Sequence, residues 1–310
     1  MILIILLSTL FISVAVARLL VIKSHVIGIL DVPNQRSIHT QAVPRTGGIP
    51  IVLGSTLGLS FVFLPFDTSA KLVVTLIPGI ILLVVVAWYD DKGHVNTLLR
   101  LGIQCLAAML FVGIGLDSIG EELSGKGGFV RSSIVLAEVL AIVWSVNLYN
   151  FMDGMDGLAG SMAVIGFVTL GLLGWFSNQT GYALLMFAVV AATLGFLVFN
   201  WPPARIFMGD MGSTFLGYLM ATTSLWGWDH GIFPLWVPLL VFLPFWLDAT
   251  ITLLRRIFRG ERFWEAHREH FYQRAVLAGV PVRRVLFMEI GLMLLTSSLA
   301  ISGWLYWISG

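Results

Sequence analysis

Apolar and polar residues fall into long blocks along the chain. Apolar runs of about 20 residues recur over its whole length, the length at which a helix crosses the apolar core of a bilayer. Short polar segments separate these runs. The pattern predicts ten transmembrane helices, at 1–22, 47–65, 71–89, 97–116, 131–147, 157–176, 180–199, 212–228, 233–254 and 285–308. The predicted fold class is an all-α polytopic membrane protein.

The composition supports this prediction and narrows the function. Of the 310 residues, 58% are hydrophobic and 11% are charged, whereas a soluble domain carries about 25% charged residues. There is no repeat and no basic or soluble segment of domain size, so 1–310 is expected to be one integral-membrane domain without a nucleic-acid partner. Cys105 is the single cysteine, which excludes an intrachain disulfide and a cysteine-based metal site.

The charge distribution predicts the orientation. Fifteen of the 18 Lys and Arg fall in alternate loops on one side; the other side holds only Lys71, Lys126 and Arg131. The positive-inside rule places the first side in the cytoplasm and both termini outside. Five polar loops are then cytoplasmic: 31–48, 90–93, 147–157, 207–213 and 265–274.

A pair of acids ends the third predicted helix, in "WYDDKG". Asp90 and Asp91 oppose the helix dipole there and repel each other. A pair placed against its own electrostatics favours a bound cation or a role in proton transfer over the simpler reading, a solvated helix end.

The segment "NLYNFMDGMDG" carries four polar side chains, more than a turn needs. Asn147, Asn150 and Asp153 are three residues apart and would share a helical face. Asp156 precedes the next helix, where it could serve only as a cap.

Three more loops carry groups suited to phosphate or a cation. The turn at 209–213 places Asp210, a good ligand for a hard cation, at the start of a helix. An ordinary N-cap region would have the same sequence pattern. Loops 31–48 and 265–274 contribute Arg36, Arg45, His267, His270 and Arg274. These basic groups suit a diphosphate, whereas the simpler readings are positive-inside flanks and a helix lying on anionic lipid. Asp248 lies within a predicted helix with no evident partner.

The combined loops predict metal-assisted phosphoryl transfer at the membrane surface. Several Asp carboxylates suit Mg²⁺ or Mn²⁺, and Arg and His beside them suit a diphosphate. A site at the bilayer surface indicates that the second substrate is a lipid.

The motifs resemble those of the polyprenyl-phosphate N-acetylhexosamine-1-phosphate transferases (glycosyltransferase family 4, the WecA/MraY-like enzymes). The resemblance covers most of the chain and rests on "PRTGG" at 44–48, "DD" at 90–91, "NLYNFMDGMDGLAG" at 147–160, "FMGDMGS" at 207–213 and a His motif at 267–270, in the family's order. It implies transfer of a HexNAc-1-phosphate from a UDP-N-acetylhexosamine to undecaprenyl phosphate, with release of UMP, in the bacterial inner membrane. A homodimer is also compatible with the family.

The resemblance also implies roles for individual residues. Asp90 would act as the base, with Asp91 beside it near the metal, and Asp210 would bind Mg²⁺. The donor nucleotide would be bound by the polar wall and by an aromatic ring, namely Asn147, Asn150, Asp153, Asp156 and Phe207. The phosphates would be bound by Arg36, Arg45, His267, His270 and Arg274.

One departure bears on the substrate. The chain has "HREHFYQ" in place of adjacent His residues, as in the WbpL-like branch that initiates O-antigen synthesis, which argues against a peptidoglycan-type donor. A peptidoglycan-type phospho-sugar transferase stays an alternative. Two other classes stay open: an intramembrane aspartyl protease, for which Phe207 stands where Gly is expected, and a transporter, for which no repeat is visible.

Overall fold

The computed structural model describes residues 2–23, 29–31, 42–63, 67–93, 95–115, 128–261 and 268–309. In these ranges the chain forms twelve helices and one two-stranded sheet. The helices are α1 (Ile2–Ile22), α2 (Gly48–Phe63), α3 (Asp67–Lys92), α4 (Thr97–Gly115), α5 (Gly128–Met152), α6 (Leu158–Phe176), α7 (Thr180–Asn200), α8 (Gly209–Asp229), α9 (Trp236–Val241), α10 (Leu243–Phe258), α11 (Phe271–Leu277) and α12 (Val282–Ser309). The strands are β1 (Leu30–Asp31) and β2 (Val43–Pro44).

The helices confirm the all-α fold class, with one clear difference in segmentation. The helix predicted at 233–254 is two helices, α9 and α10, which meet at Phe242. Pro244 occupies the first turn of α10, where its missing N–H costs nothing, whereas inside a continuous helix the same proline would remove one backbone hydrogen bond. A further short helix, α11, lies in the charged loop before α12.

The chain is a multi-pass membrane protein. Among the described residues, seven helices are long and apolar enough to cross a bilayer: α1, α3, α4, α5, α6, α7 and α12. α6 and α7 form the centre of the bundle, while α1 and α12 expose most of their surface. Large exposed apolar side chains on the outer helices, such as Phe11 and Met288, are expected where the surrounding solvent is lipid.

Small residues allow the inner helices to approach closely. Ser13 on α1 donates its hydroxyl to the carbonyl of Ala192 on α7 at 2.6 Å. A Cβ at Gly54 on α2 would lie 2.9 Å from the Cβ of Ala192. Such packing is how membrane helices associate when burial from water contributes little.

The strand pair lies at the end of the bundle where the site is found. β1 and β2 are antiparallel, with Leu30 opposite Pro44. Beyond β2, the N–H of Phe207 donates to the carbonyl of Pro44 and the N–H of Gly47 donates to the carbonyl of Phe207, both at 2.8 Å. This pair of hydrogen bonds holds the segment before α2 against the segment before α8 and places Arg45 between them.

Candidate active site

The C-terminal ends of α3 and α5 meet the N-terminal ends of α4 and α8 in a cluster of carboxylates. Asp90 and Asp91 come from the last turn of α3, and Asp210 comes from the first turn of α8. Asn150 reaches the same point from the last turn of α5. Four sequence segments that are up to 120 residues apart therefore contribute to one site.

Asp91 caps helix α8. Its two carboxylate oxygens accept the backbone N–H groups of Asp210 and Met211, at 2.9 and 3.1 Å, and its side chain is only 3% exposed. A carboxylate at a helix N-terminus satisfies orphan donors and matches the positive end of the helix dipole. Gly209 has φ 71°, and a Cβ there would lie 2.5 Å from the carbonyl oxygen of Arg45. The glycine of the "GD" motif is thus required by this close approach.

Asp90 holds an arginine that the sequence analysis used only for orientation. One oxygen accepts the backbone N–H of Val95 at 2.9 Å, and the other pairs with the guanidinium of Arg100 on α4. The same guanidinium lies 3.8 Å from a carboxylate oxygen of Asp210. Arg100 is therefore a cation shared between two of the acids.

Asp210 is the most connected carboxylate of the cluster. Asn150 donates its side-chain amide to Asp210 at 2.8 Å and to the hydroxyl of Ser213 at 2.9 Å. Arg45 lies 3.6 Å from Asp210 and 3.9 Å from Asp91. Burial alone would lower the pKa of Arg45, but Asp210 and Asp91 raise it, so this guanidinium stays charged.

Asp153 lies beside the cluster without a hydrogen bond to its carboxylate from any described residue. It follows the end of α5 and is half-buried. Burial raises the pKa of Asp153 well above its usual value; the charge of Arg45 opposes this effect, while Asp210 and Asp91 add to it. An acid in such surroundings is short of a cation, which marks it as a functional candidate.

Asp156 has a different place from Asp153. One of its oxygens accepts the N–H of Ala204 at 2.9 Å. Asn200 makes a parallel link, because it accepts the N–H of Gly157 at 2.9 Å and donates to the carbonyl of Ile206 at 2.8 Å. Together these bonds tie the turn between α5 and α6 to the segment before α8.

Asn147 contacts the neighbouring helix rather than Asp210. Its amide donates to the side chain of Gln104 on α4 and to the carbonyl of Val143, both at 2.7 Å. Gln104 lies one turn beyond Arg100, so α4 presents both side chains toward α5 and the cluster. Phe207 is half-buried at the edge, fixed by its two backbone bonds.

The predicted phosphate-binding residues divide into three groups. Arg45 lies in the cluster, as described. His270 is buried, at 3% exposure, and its Nδ1 is 3.0 Å from Asp248, while Arg274 is exposed on α11. Arg36 and His267 lie outside the described residues.

The donor set suits a hard divalent cation that is shared with substrate. Within the described ranges, no three acidic, His or Cys side chains form a closed coordination group. Arg45 and Arg100 are surrounded by four carboxylates, so the carboxylates outnumber the guanidinium groups; the four are those of Asp90, Asp91, Asp153 and Asp210. Mg²⁺ is commonly held by one or two carboxylates together with substrate phosphates, which this arrangement fits.

The sequence analysis assigned no role in the site to three polar residues that the structure brings to or beside it: Arg100, Gln104 and Asp248. Arg100 and Gln104 are four residues apart on α4, a spacing that would have placed both on one face. No signal in the sequence paired them with Asp90 and Asn147. Asp248 was visible as an acid within an apolar helix, and such acids usually face a partner inside the bundle.

The fold and site define a polytopic membrane protein with an acidic, arginine-neutralised site at its helix ends. Residues 73–227 match the family described as glycosyl transferase family 4, and the chain belongs to that family.

Relatives of the chain match over most of their length. A Bacillus subtilis (strain 168) protein named "Probable undecaprenyl-phosphate N-acetylglucosaminyl 1-phosphate transferase" is 29% identical over 98% of this chain and 85% of its own. The undecaprenyl-phosphate alpha-N-acetylglucosaminyl 1-phosphate transferase of Salmonella typhi is 31% identical over 89% of this chain and 76% of its own. The enzyme of the same name from Escherichia coli (strain K12) is 29% identical over 83% of this chain and 72% of its own length.

Proposed function

We propose that this protein transfers a HexNAc-1-phosphate from a UDP-N-acetylhexosamine to undecaprenyl phosphate in the bacterial inner membrane. The products are undecaprenyl-diphospho-HexNAc and UMP. The observation that carries the proposal is the cluster of Asp90, Asp91 and Asp210 with two shared arginines, in a chain whose relatives are named as undecaprenyl-phosphate N-acetylglucosaminyl 1-phosphate transferases. The branch that initiates O-antigen synthesis is the proposed cellular role, on the grounds of the His motif.

The reaction is a displacement at phosphorus. A phosphate oxygen of the lipid attacks the β-phosphorus of the donor, which carries the sugar. The bond from that phosphorus to the bridging oxygen breaks, and UMP leaves with the electron pair. Enzymes accelerate such transfers chiefly by positioning the reactants and by neutralising their charge.

The described side chains supply both effects. Arg100, in the first turn of α4 and 36% exposed, is placed to exchange its carboxylate partners for the lipid phosphate. Asp90, released from Arg100, would accept a proton from that phosphate. Arg45 would contact the donor diphosphate from the opposite side of Asp210.

The polar wall of α5 would hold the nucleotide. Asn150 is fixed by Asp210 and Ser213, and Asn147 is fixed by Gln104, so both amides are already oriented. Phe207, at the edge, is the candidate for stacking on uracil. Asp210, with Asp153 and the remaining lone pairs of Asp91, would hold Mg²⁺ or Mn²⁺, which when bound would neutralise the diphosphate.

The proposal is tested with purified protein, undecaprenyl phosphate and a panel of UDP-sugars. We expect UMP as the nucleotide product and a lipid product heavier by one HexNAc-phosphate, measured by mass spectrometry. Release of UDP would indicate transfer of the sugar without its phosphate and would contradict the proposal. The donor that gives the highest kcat/KM identifies the sugar.

A further inference from the structure

Asp248 on α10 is a buried carboxylate that the transfer reaction does not use. It is 6% exposed and lies within an apolar helix. Its oxygens accept hydrogen bonds from the hydroxyl of Thr252 at 3.2 Å and from the backbone N–H of Phe271 at 3.1 Å. Nδ1 of His270 lies at 3.0 Å, and the N–H of Tyr272 at 3.4 Å. A buried carboxylate is costly unless it is bonded in this way.

These bonds fix the start of α11. Because an ionised carboxylate can only accept, Asp248 keeps the proton of the His270 ring on Nδ1 and sets the ring's orientation. The ring stacks on Tyr272, with centroids 5.8 Å apart and planes 17° apart. We call Asp248, His270 and Tyr272 the α11 latch.

The α11 latch contacts the end of α5 that carries the polar wall. The ring of His270 lies 6.5 Å from the ring of Phe151, and the hydroxyl of Tyr272 donates to the carbonyl of Phe151 at 3.3 Å. A Cβ at Gly154 would overlap the Tyr272 hydroxyl, so a larger residue there would displace that hydroxyl. Asp153 lies in the chain between Phe151 and Gly154, the two residues that Tyr272 contacts.

A stability role alone would not require a charge at this position. Apolar side chains of similar size often pack two elements together as well as a buried ionic group does. A carboxylate also fixes orientation, because each hydrogen bond that it accepts holds one donor group in place. The donors held here belong to His270 and Tyr272, which contact the residues on either side of Asp153.

We propose that Asp248 is a positioning residue for the reaction. Through His270 and Tyr272 it holds the Phe151–Gly154 segment, and with it the carboxylate of Asp153, in the geometry that sugar-phosphate transfer requires. The kinetic part of this inference rests on the proposed function; the structural coupling does not.

The coupling is tested by hydrogen–deuterium exchange of the full-length protein in nanodiscs. Asp248→Asn keeps one acceptor oxygen but loses the charge and the two acceptor sites of the other oxygen. We expect faster amide exchange both in 268–277 and in 150–157. Glu138→Gln is the matched control, because Glu138 is also a buried acid within a helix, on α5 and 5% exposed, and its buried carboxylate oxygen has no hydrogen-bond partner among the described residues. Faster exchange in 268–277 with unchanged exchange in 150–157 would overturn the proposal.

The kinetic arm measures UMP release by the same variants. We expect Asp248→Asn to lower kcat by up to about 100-fold, the loss that a misplacement of about 1 Å produces, with little change in KM for the lipid. Adding Tyr272→Phe should cause no further loss, because both changes act on the same segment. Wild-type kcat in Asp248→Asn, or multiplying losses in the double variant, would contradict the positioning role.

If Asp248→Asn does not fold, Tyr272→Phe alone removes the bond to Phe151 and leaves the cap of α11 intact. It should then raise exchange in 150–157 and lower kcat several-fold, and unchanged exchange there would sink the coupling. If the wild-type protein releases no UMP, the proposed function is wrong, and the exchange data still decide the coupling.

Discussion

The two adjacent acids of α3 make different contacts. Neighbouring side chains on a helix point about 100° apart, so they cannot reach the same group. Asp91 turns toward the backbone of α8, and Asp90 turns toward Arg100 on α4. Their functions should therefore separate in variants.

Asp91→Asn should lower the stability of the folded protein. An amide has one acceptor oxygen, so one of the two buried N–H groups of α8 loses its partner, which costs about 1–3 kcal/mol. A thermal melt in detergent should show a lower Tm than for Asp90→Asn, whose backbone link to Val95 survives through the amide oxygen. A Tm for Asp91→Asn equal to that of the wild-type protein would show that the cap contributes nothing.

Arg100→Gln should weaken use of the lipid acceptor. Loss of the guanidinium removes the cation shared by Asp90 and Asp210, and a charged hydrogen bond contributes about 1.5–3 kcal/mol. We expect kcat/KM for undecaprenyl phosphate to fall by roughly 10- to 100-fold. Arg131→Gln, at the opposite end of the bundle, serves as the control and should leave kcat/KM unchanged.

Activity should require a divalent cation. The oxygen-only donor set of Asp210 and its neighbours predicts loss of UMP release in EDTA and recovery with Mg²⁺ or Mn²⁺. Full turnover in EDTA would contradict the metal role of Asp210.

At this scale the sequence predicted which residue types gather at the helix ends better than which of these residues contact one another. The spacing of Asn147, Asn150 and Asp153 predicted one shared face. In the structure Asn150 contacts Asp210, but Asn147 contacts Gln104, 43 residues away. The second partner could not be predicted, because it depends on how α4 packs against α5.

Helices α2 and α8 begin side by side, and their contact forms one side of the cluster. A Cβ at Gly48 would overlap the backbone of Gly212, and a Cβ at Gly212 would lie 2.9 Å from the Cα of Gly48. Arg45 and Asp210 are held next to this contact. The "GG" and "GDMGS" motifs are thus two halves of one helix contact.

Gly48→Ala should disrupt this contact and with it the site. Backbone atoms cannot move aside as a flexible side chain can, so we expect a loss of folded protein and of activity together. Gly102→Ala is the matched control, since a Cβ on this exposed face of α4 meets nothing within 4 Å. It should be neutral or stabilise the helix by up to about 1 kcal/mol. Size-exclusion profiles and thermal melts of the two variants provide the measurement.

The long helices were predictable because their apolar runs are nearly uninterrupted. The break at Phe242 was not, although Pro238 and Pro244 flank it, since proline is tolerated in membrane helices when neighbours satisfy the freed backbone groups. The start of α8 at Gly209, three residues earlier than predicted, depends on the cap from Asp91, a residue 119 positions away.

For the molecule as a whole, the orientation in the membrane is the main untested prediction. The sequence pattern assigns fifteen of the 18 Lys and Arg to the same set of loops as the acids of the cluster. In a Cys105→Ser background, a cysteine at position 95 should be protected from an impermeant thiol reagent in intact cells, and a cysteine at position 124 should react. The reverse pattern would place the site outside and rule out a cytoplasmic sugar nucleotide as its substrate.

The paired arginines have a consequence for how the site fills. Arg45 and Arg100 already stand between the carboxylates, so the protein carries its own counterions before any ligand arrives. Under the proposed function, binding of a substrate would be an exchange of partners: phosphate oxygens would pair with the guanidinium groups, and the carboxylates released in this way would be available to a metal. Substrate and metal should therefore bind cooperatively, because each one releases the side chains that the other binds.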